Sequence, residues 1–265
     1  MANAFFELET LGLIIEEKLG ENIKLYPLAT KKVLAETAGA IIAVPVTKYI
    51  EEAVVVAAGQ TIPETEFTQE EISATVKKIG KHIKVTQEEV NNAYINVHEE
   101  VEKQLLKAIE GKIEKEMFAE LEEATLTATV SELNVEGLAD ALVPFGEEIE
   151  EAMYLFVNPA QLAGLRKDPD FIVNANHGGK VVGSAGMIFG MEVIVSRNVE
   201  VGKAFIVKEG ALAIFIKKGV ELEQEKDIVT QTYHLVATQH YVTKLVDHAK
   251  AIYVTIGEEE EEVGA

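Results

Sequence analysis

The run from Thr86 to Ala124 constrains this chain more than any other. Apolar residues recur at Val90, Tyr94, Val97, Val101, Leu105, Ile109, Ile113, Met117 and Leu121, every step three or four. That is one stripe of an α-helix. Thr86 stands before Gln87-Glu88-Glu89, so its hydroxyl caps the first turn and Glu89 reaches back, a capping box. Read as one helix, the run is on the order of 55 Å long. Gly111 weakens its middle. The opposite face is charged, with eleven Glu against four Lys. A helix this long outreaches an ordinary globular domain.

The stretch just before it, Val54 to Val85, alternates like a strand, breaks at Gly59 and Pro63, and alternates again. The pattern predicts a long β-hairpin with a polar tip over Gly59 to Gln69. Its apolar residues fall at Val54 and Val56, then Ile72, Ala74 and Val76, then Ile79, Ile83 and Val85. The parity switches at Lys77-Lys78, which calls for a bulge or bend there, and Gly80 suits a bend. The hairpin has too few apolar residues to bury itself in its own domain.

Around these two elements the pattern predicts a short amphipathic helix from Ala4 to Leu19 and an extended arm from Ile23 to Ala40. A strand begins over Ala40 to Val46, at an edge or bend because of Pro45. After Thr125 come a helix, a strand over Met153 to Val157, and a helix from Pro159 to Lys167, N-capped by Asn158. A Gly-rich loop precedes strands over Met191–Ser196, Lys203–Val207 and Ala211–Ile216. Two further strands lie between Val220 and Val242, then a terminal strand in "HAKAIYVTI", then a five-Glu run from Glu258 to Glu262 expected to be a disordered tail.

Composition narrows the function classes. The 265 residues allow one large or two modest domains with a sizeable core. The absence of Cys excludes disulfides, thiolate metal sites and thiol catalysis, and fits a reducing cytosol. No signal-peptide pattern opens the chain, and no apolar run approaches the roughly 20 residues of a membrane helix, so no membrane partner is expected. The net charge of −21 disfavours phosphate binding and favours solubility. It also suits an acidic wall that surrounds nucleic acid without sticking to it.

No constellation of catalytic quality is present. "GGKVVGSAG" at Gly178 to Gly186 lacks Ser or Thr after Lys180, so it is a loop and not a phosphate cradle. Ser184 is outside the nucleophile-elbow pattern. His98-Glu99 begins a zinc-helix motif without its second His. His234, His240 and His248 are spaced to share a face, yet structural roles outweigh metal binding. No catalytic, cofactor-binding or metal residue is assigned, no cofactor is expected, and the chain is not read as an enzyme. Its unusual features serve shape, and long protruding elements are best covered by copies of the same chain.

The order of elements supplies a resemblance. "EEAVVVAAGQTIPETEFTQEEISATVKKIGKHIKVTQEEVNNA" (Glu51 to Ala93), "VNPAQLAGLRKDPDF" (Val157 to Phe171) and "GSAGMIFGMEVIVSRNV" (Gly183 to Val199) carry it. Together they resemble the major capsid proteins of tailed bacteriophages, with the α+β fold of the Hong Kong 97 type, shared in outline with encapsulin shells. The first stretch is similar to their E-loop and spine-helix junction, the second to the axial-domain helix, the third to the strand pair after it.

The resemblance implies an N-terminal helix and arm over 1–45, an E-loop hairpin over 46–85 and an axial domain over 126–218. A peripheral domain would comprise 86–125 and 219–256, its C-terminal strands joining one long sheet, and an acidic tail would cover 257–265. It implies self-assembly through pentamers and hexamers into an icosahedral head shell around double-stranded DNA, made in the bacterial host cytoplasm and ending in the virion. A separate scaffold protein, a portal and a cement protein are the implied partners, with no scaffolding segment fused to the chain and no specific DNA binding. Covalent crosslinking through an E-loop Lys is not expected, because Gly59 to Ile72 has none. The alternative is an encapsulin-like compartment holding a cargo enzyme, with the helix at Ala4–Leu19 beside the cargo groove.

Overall fold

In the computed structural model, residues 18–35, 39–46, 53–56, 59–62, 64, 70–92, 96–146, 152–167 and 183–257 are described. The helix at Ala4–Leu19 (apart from its last two residues), the Gly178–Val182 part of the Gly-rich loop and the five-Glu run lie outside them.

Two sheets carry the chain. The first has four strands in the order β1 (Thr30–Val33), β10 (Leu212–Asp227), β11 (Thr232–Leu245), β4 (Lys77–Thr86). The second has six, in the order β5 (Leu126–Val130), β12 (Ala251–Ile256), β9 (Lys203–Lys208), β6 (Met153–Val157), β8 (Met191–Val195), β7 (Ser184–Ile188). A separate ladder joins β2 (Ile41–Val46) to β3 (Glu70–Thr75). The helices are α1 (Gln87–Asn92), α2 (Val97–Leu121), α3 (Val135–Leu142) and α4 (Pro159–Leu165).

The capping box forms as the sequence requires. Thr86 N–H donates to the Glu89 carboxylate at 2.8 Å, and Glu89 N–H donates back to the Thr86 hydroxyl at 3.2 Å. The single long helix does not form. α1 is described over Gln87–Asn92, Asn96 lies outside any helix, and α2 starts at Val97. At 25 residues α2 is roughly 37 Å long. Gly111 sits inside it without breaking it.

The stripe read from the sequence is the buried face of α2: Val101, Leu105, Ile109, Ile113, Met117 and Leu121 are all buried. They meet both sheets at once. Tyr233, Leu235, Ala237 and Tyr241 come from the first, and Tyr154, Phe156, Phe205 and Val207 from the second. Ile23, Leu25, Tyr26 and Leu28 fill the same core, so the start of the stretch expected as an extended arm is docked by its apolar residues. The other face of the six-stranded sheet packs under α3 and α4 through Leu138, Ala141, Leu162 and Leu165. With both faces covered, β6 is buried at every residue, which explains its unbroken apolar run MYLFV.

Several expectations need correction. The hairpin is not Val54–Val85. Its arms are β2 and β3, in register from Ile41↔Thr75 to Val46↔Glu70, and Val54 to Val56 are outside any strand. The Pro45 edge reading holds, since among the described residues each strand of this ladder is an edge. The parity switch is real but is a change of sheet: β3 ends at Thr75, Val76 N–H donates to Ala40 C=O at 2.8 Å, and β4 enters the four-stranded sheet. Gly80 is not the bend. It pairs with Thr238, where a Cβ would come within 3.2 Å of the Ala237 carbonyl. Leu126–Val130, given no element by the sequence pattern, is a parallel partner of β12, and β12 joins the six-stranded sheet rather than the long one.

Candidate functional site

No enclosed chemical site emerges from the described residues. The functional geometry is that of protruding tips on a braced frame, built from four local structures.

The first is the β2–β3 ladder. Its base is held because Val44 and Ala74 pack against Ala213, Phe215 and Val242 on the face of the first sheet away from α2. Ile41, at the base end of the ladder, is exposed, and beyond the base so are Val54, Val55 and Ile62, Val55 completely. The second tip is the β10–β11 turn. The Asp227 carboxylate accepts from Val229 N–H at 2.8 Å and from the Thr230 hydroxyl at 2.7 Å. These bonds hold its carboxyl below the usual range, Thr230 foremost, and fix a turn that presents Ile228 and Val229 to solvent. The third is the β7–β8 turn, where Phe189 and Gly190 both have positive φ, as a two-residue hairpin turn of this hand demands. It presents Phe189 and Met187. The strand pair expected over Gly183–Val199 is this hairpin. The fourth comprises two separate exposed residues, Val143 in the short 3-10 turn after α3 and Val201 in the turn before β9.

The frame is braced by charge. Lys244 bridges Glu120 at 2.7 Å and Glu123 at 3.0 Å, and Lys203 bridges Glu122 and Glu200, both at 2.9 Å. Tyr241 donates to Glu116 at 3.1 Å, and burial, with that carboxylate beside it, pushes its phenol well up. On the buried side of α2, Glu110 accepts from Gly20 N–H at 3.1 Å and from the Asn22 amide at 3.0 Å, which pins the N-terminal segment. Glu114 accepts from the Asn198 amide at 2.8 Å while its second oxygen has no partner. Burial raises its pKa. Neither acid was singled out by the sequence, because both read as members of a charged face. Their i,i+4 spacing beside Leu106 and Ile113 was the available signal.

The sequence candidates do not converge. His234 lies on β11 and stacks on His82 of β4, with their ring nitrogens 3.0 Å apart. His240 is farther along β11, and His248 is in the turn before β12. Among the described residues no three His, Asp or Glu side chains gather as metal ligands. Ser184 opens β7 with a buried hydroxyl that has no partner. A groove of about 450 Å³ between β4, α1 and α2 is lined by Ile83, Val85, Val97 and Val101, with only Lys84 and Glu89 charged. No described helix is long and apolar enough to cross a membrane.

A family model described as phage capsid protein matches residues 69–255, a range that takes in β4, every helix above and both large sheets apart from β1. A major capsid protein of Staphylococcus phage phiMR11 is 28% identical over 254 residues, covering 94% of this chain and 93% of the relative. The head structure of Helicobacter pylori bacteriophage KHP40 superposes with a TM-score of 0.66 at 9% identity, over 90% of this chain and 91% of that one. A virus-like particle from Pyrococcus furiosus gives 0.63 at 12% identity, over 93% and 98%. At such identities the two structures speak for the fold alone.

Proposed function

The chain belongs to the phage capsid protein family, and we propose that it is the major capsid protein of a tailed phage, assembling as many copies into the closed head shell. The observation that carries this is the family match over 69–255, which takes in all four helices and most of both large sheets. Capsid proteins are structural and are not an enzyme class. A compartment shell around a cargo enzyme is not favoured, because the family match is to phage capsids.

In detail we read the fold as the Hong Kong 97 type. The β2–β3 ladder and the residues between its strands are the E-loop, lying over a neighbouring subunit. α2 is the spine helix of a peripheral domain that includes the four-stranded sheet. The six-stranded sheet with α3 and α4 is the axial domain, meeting its copies around five- and six-fold axes. Exposed apolar side chains at separate tips suit many small contacts, each weak enough to reverse during assembly. Scaffold, portal and cement proteins are the expected partners, the host cytoplasm the place of assembly and the virion the destination. The net charge of −21 makes the shell a wall that repels the packaged double-stranded DNA.

Deleting Gly59 to Gln69 tests the reading. The expected variant is folded and soluble and forms no shells under negative-stain microscopy, while the parent chain does. Closed particles from the deletion variant would overturn the E-loop assignment. A parent chain that stays monomeric with its scaffold present would overturn the shell reading itself.

A further inference from the structure

The four-stranded sheet is charged in columns. Away from α2, β4 contributes Lys78, His82 and Lys84, β11 contributes His234, Val236, Thr238 and His240, and β10 contributes Glu221, Glu223 and Glu225. Lys81 adds a further exposed cation on β4. Lys77 to Lys84 holds four Lys and no acid in a chain whose net charge is −21. The basic column and the acidic column are the two rims of this part of the sheet. Among the described residues β4 pairs only with β11. β1 covers β10 only from Ala213 to Ile216, so among the described residues Lys218 to Asp227 has no strand on that side.

Both rims run parallel, because β4 and β10 are each antiparallel to β11. Their charges are also level. His234 faces Lys84 on one side and Glu225 on the other, and Val236 faces His82 and Glu223. A lateral repeat of the sheet therefore brings Lys84 beside Glu225 and His82 beside Glu223 of the next copy. Open strand edges are sites of pairing unless charge blocks them, and here the blocking charges of the two rims are opposite in sign. Contact between identical acidic chains is otherwise repulsive, so such a match selects one orientation. Lys78 and Lys81 have no ion-pair partner among the described residues, whereas Lys218 already holds Glu221 at 2.6 Å.

We propose that the basic β4 rim of one copy docks head-to-tail on the acidic β10 rim of the next, a contact that repeats around each ring of the shell. The proposal rests on the shell reading. The chain has no Cys, so a paired-cysteine experiment is clean. In the variant Lys84→Cys with Glu225→Cys, mild oxidation of assembled particles is expected to give a ladder of covalent multimers, with nothing beyond a dimer from either single variant. Reversal to Glu at Lys78, Lys81 and Lys84 is expected to abolish particles. Adding Lys at Glu221, Glu223 and Glu225 of the same chain is expected to restore them. Particles from the parent chain together with no ladder, or reversed variants that still assemble, would overturn the rim contact and leave the shell reading standing. A Lys→Gln triple variant that assembles normally but loses retention of double-stranded DNA on a filter would also overturn it, assigning the rim to nucleic acid. Should the reversed variants fail to fold, the cysteine ladder alone decides.

Discussion

Two hairpins stand side by side in this molecule and are held by different means. β10 and β11 turn at Ile228 to Gln231, are flanked by β1 and β4, and lay Leu235, Ala237 and Tyr241 on α2. Among the described residues β2 and β3 have no strand partner but each other and pack on the frame at their base, and they are joined through residues 47–69. The first hairpin is part of the core that holds both sheets to α2. The second spends its sequence on reach. A two-stranded ribbon is marginal alone, so its order beyond the base has to come from another surface, which is what a subunit of a shell offers.

Truncating each hairpin at one apolar residue sharpens the contrast most. Leu235 is fully buried, and Leu235→Ala is expected to cost about 2–5 kcal/mol of stability through lost contacts and a cavity. Ile41 is mostly exposed, and Ile41→Ala is expected to change monomer stability by no more than about 0.5 kcal/mol. Urea unfolding of the two variants measures this. Particle yield should respond in the other sense, falling for Ile41→Ala at unchanged stability. Equal destabilisation by both would mean that the β2–β3 ladder is core, not reach.

The same contrast explains what the sequence disclosed. The α2 stripe, the Asn158 cap and the β6 run were legible because each is fixed by local spacing. Asn158 accepts from Ala160 N–H at 3.0 Å, and Gln161 returns a bond to Asn158 N–H at 2.9 Å. What misled was partnership. Val54 to Val56 alternate and are near Gly59, so a short turn looked natural, but β3 pairs with Ile41 to Val46 across a much longer connection. β5 was hidden because LTATV has only a weak apolar face and earns its place by parallel pairing to β12, more than a hundred residues away. The charged columns of the first sheet were invisible for the same reason: Lys84 and Glu225 come level only through His234.

A smaller effect separates local capping from tertiary support. Asn158→Ala is expected to cost about 1 kcal/mol, the ordinary worth of an N-cap. The side chain also donates to Val199 C=O at 2.7 Å, tying α4 to the turn before β9. Asn158→Asp keeps the cap acceptor and loses that donor, so thermal melts of the pair divide the two roles. A full recovery with Asp would show that the Val199 tie contributes nothing.

The smallest expected effect bears on why the N-terminal half of the core tolerates an acid. Glu110 is satisfied by Gly20 and Asn22, while Glu114 has one bonded oxygen and one orphan. Burial raises the Glu114 pKa above its ordinary 4.5, against the opposing pull of Lys24 and Asn198. The folded state then binds this proton more tightly than the unfolded state. Its contribution to stability is fully present below the unfolded value and is lost as pH rises through the folded one. Glu89 and Asp227 have the opposite sign: their pKa values are lowered by hydrogen bonds, so their contributions are lost as pH falls. The wild-type profile mixes both signs, and the difference between wild type and Glu114→Gln isolates one. Gln keeps the bond from Asn198 and removes the charge, so the variant is expected to gain a few tenths to about 1 kcal/mol at neutral pH. That gain should vanish as pH falls below the ordinary carboxylate range. A variant less stable than wild type at pH 7, with a pH-independent difference, would show that the Lys24 attraction outweighs the burial of the charge.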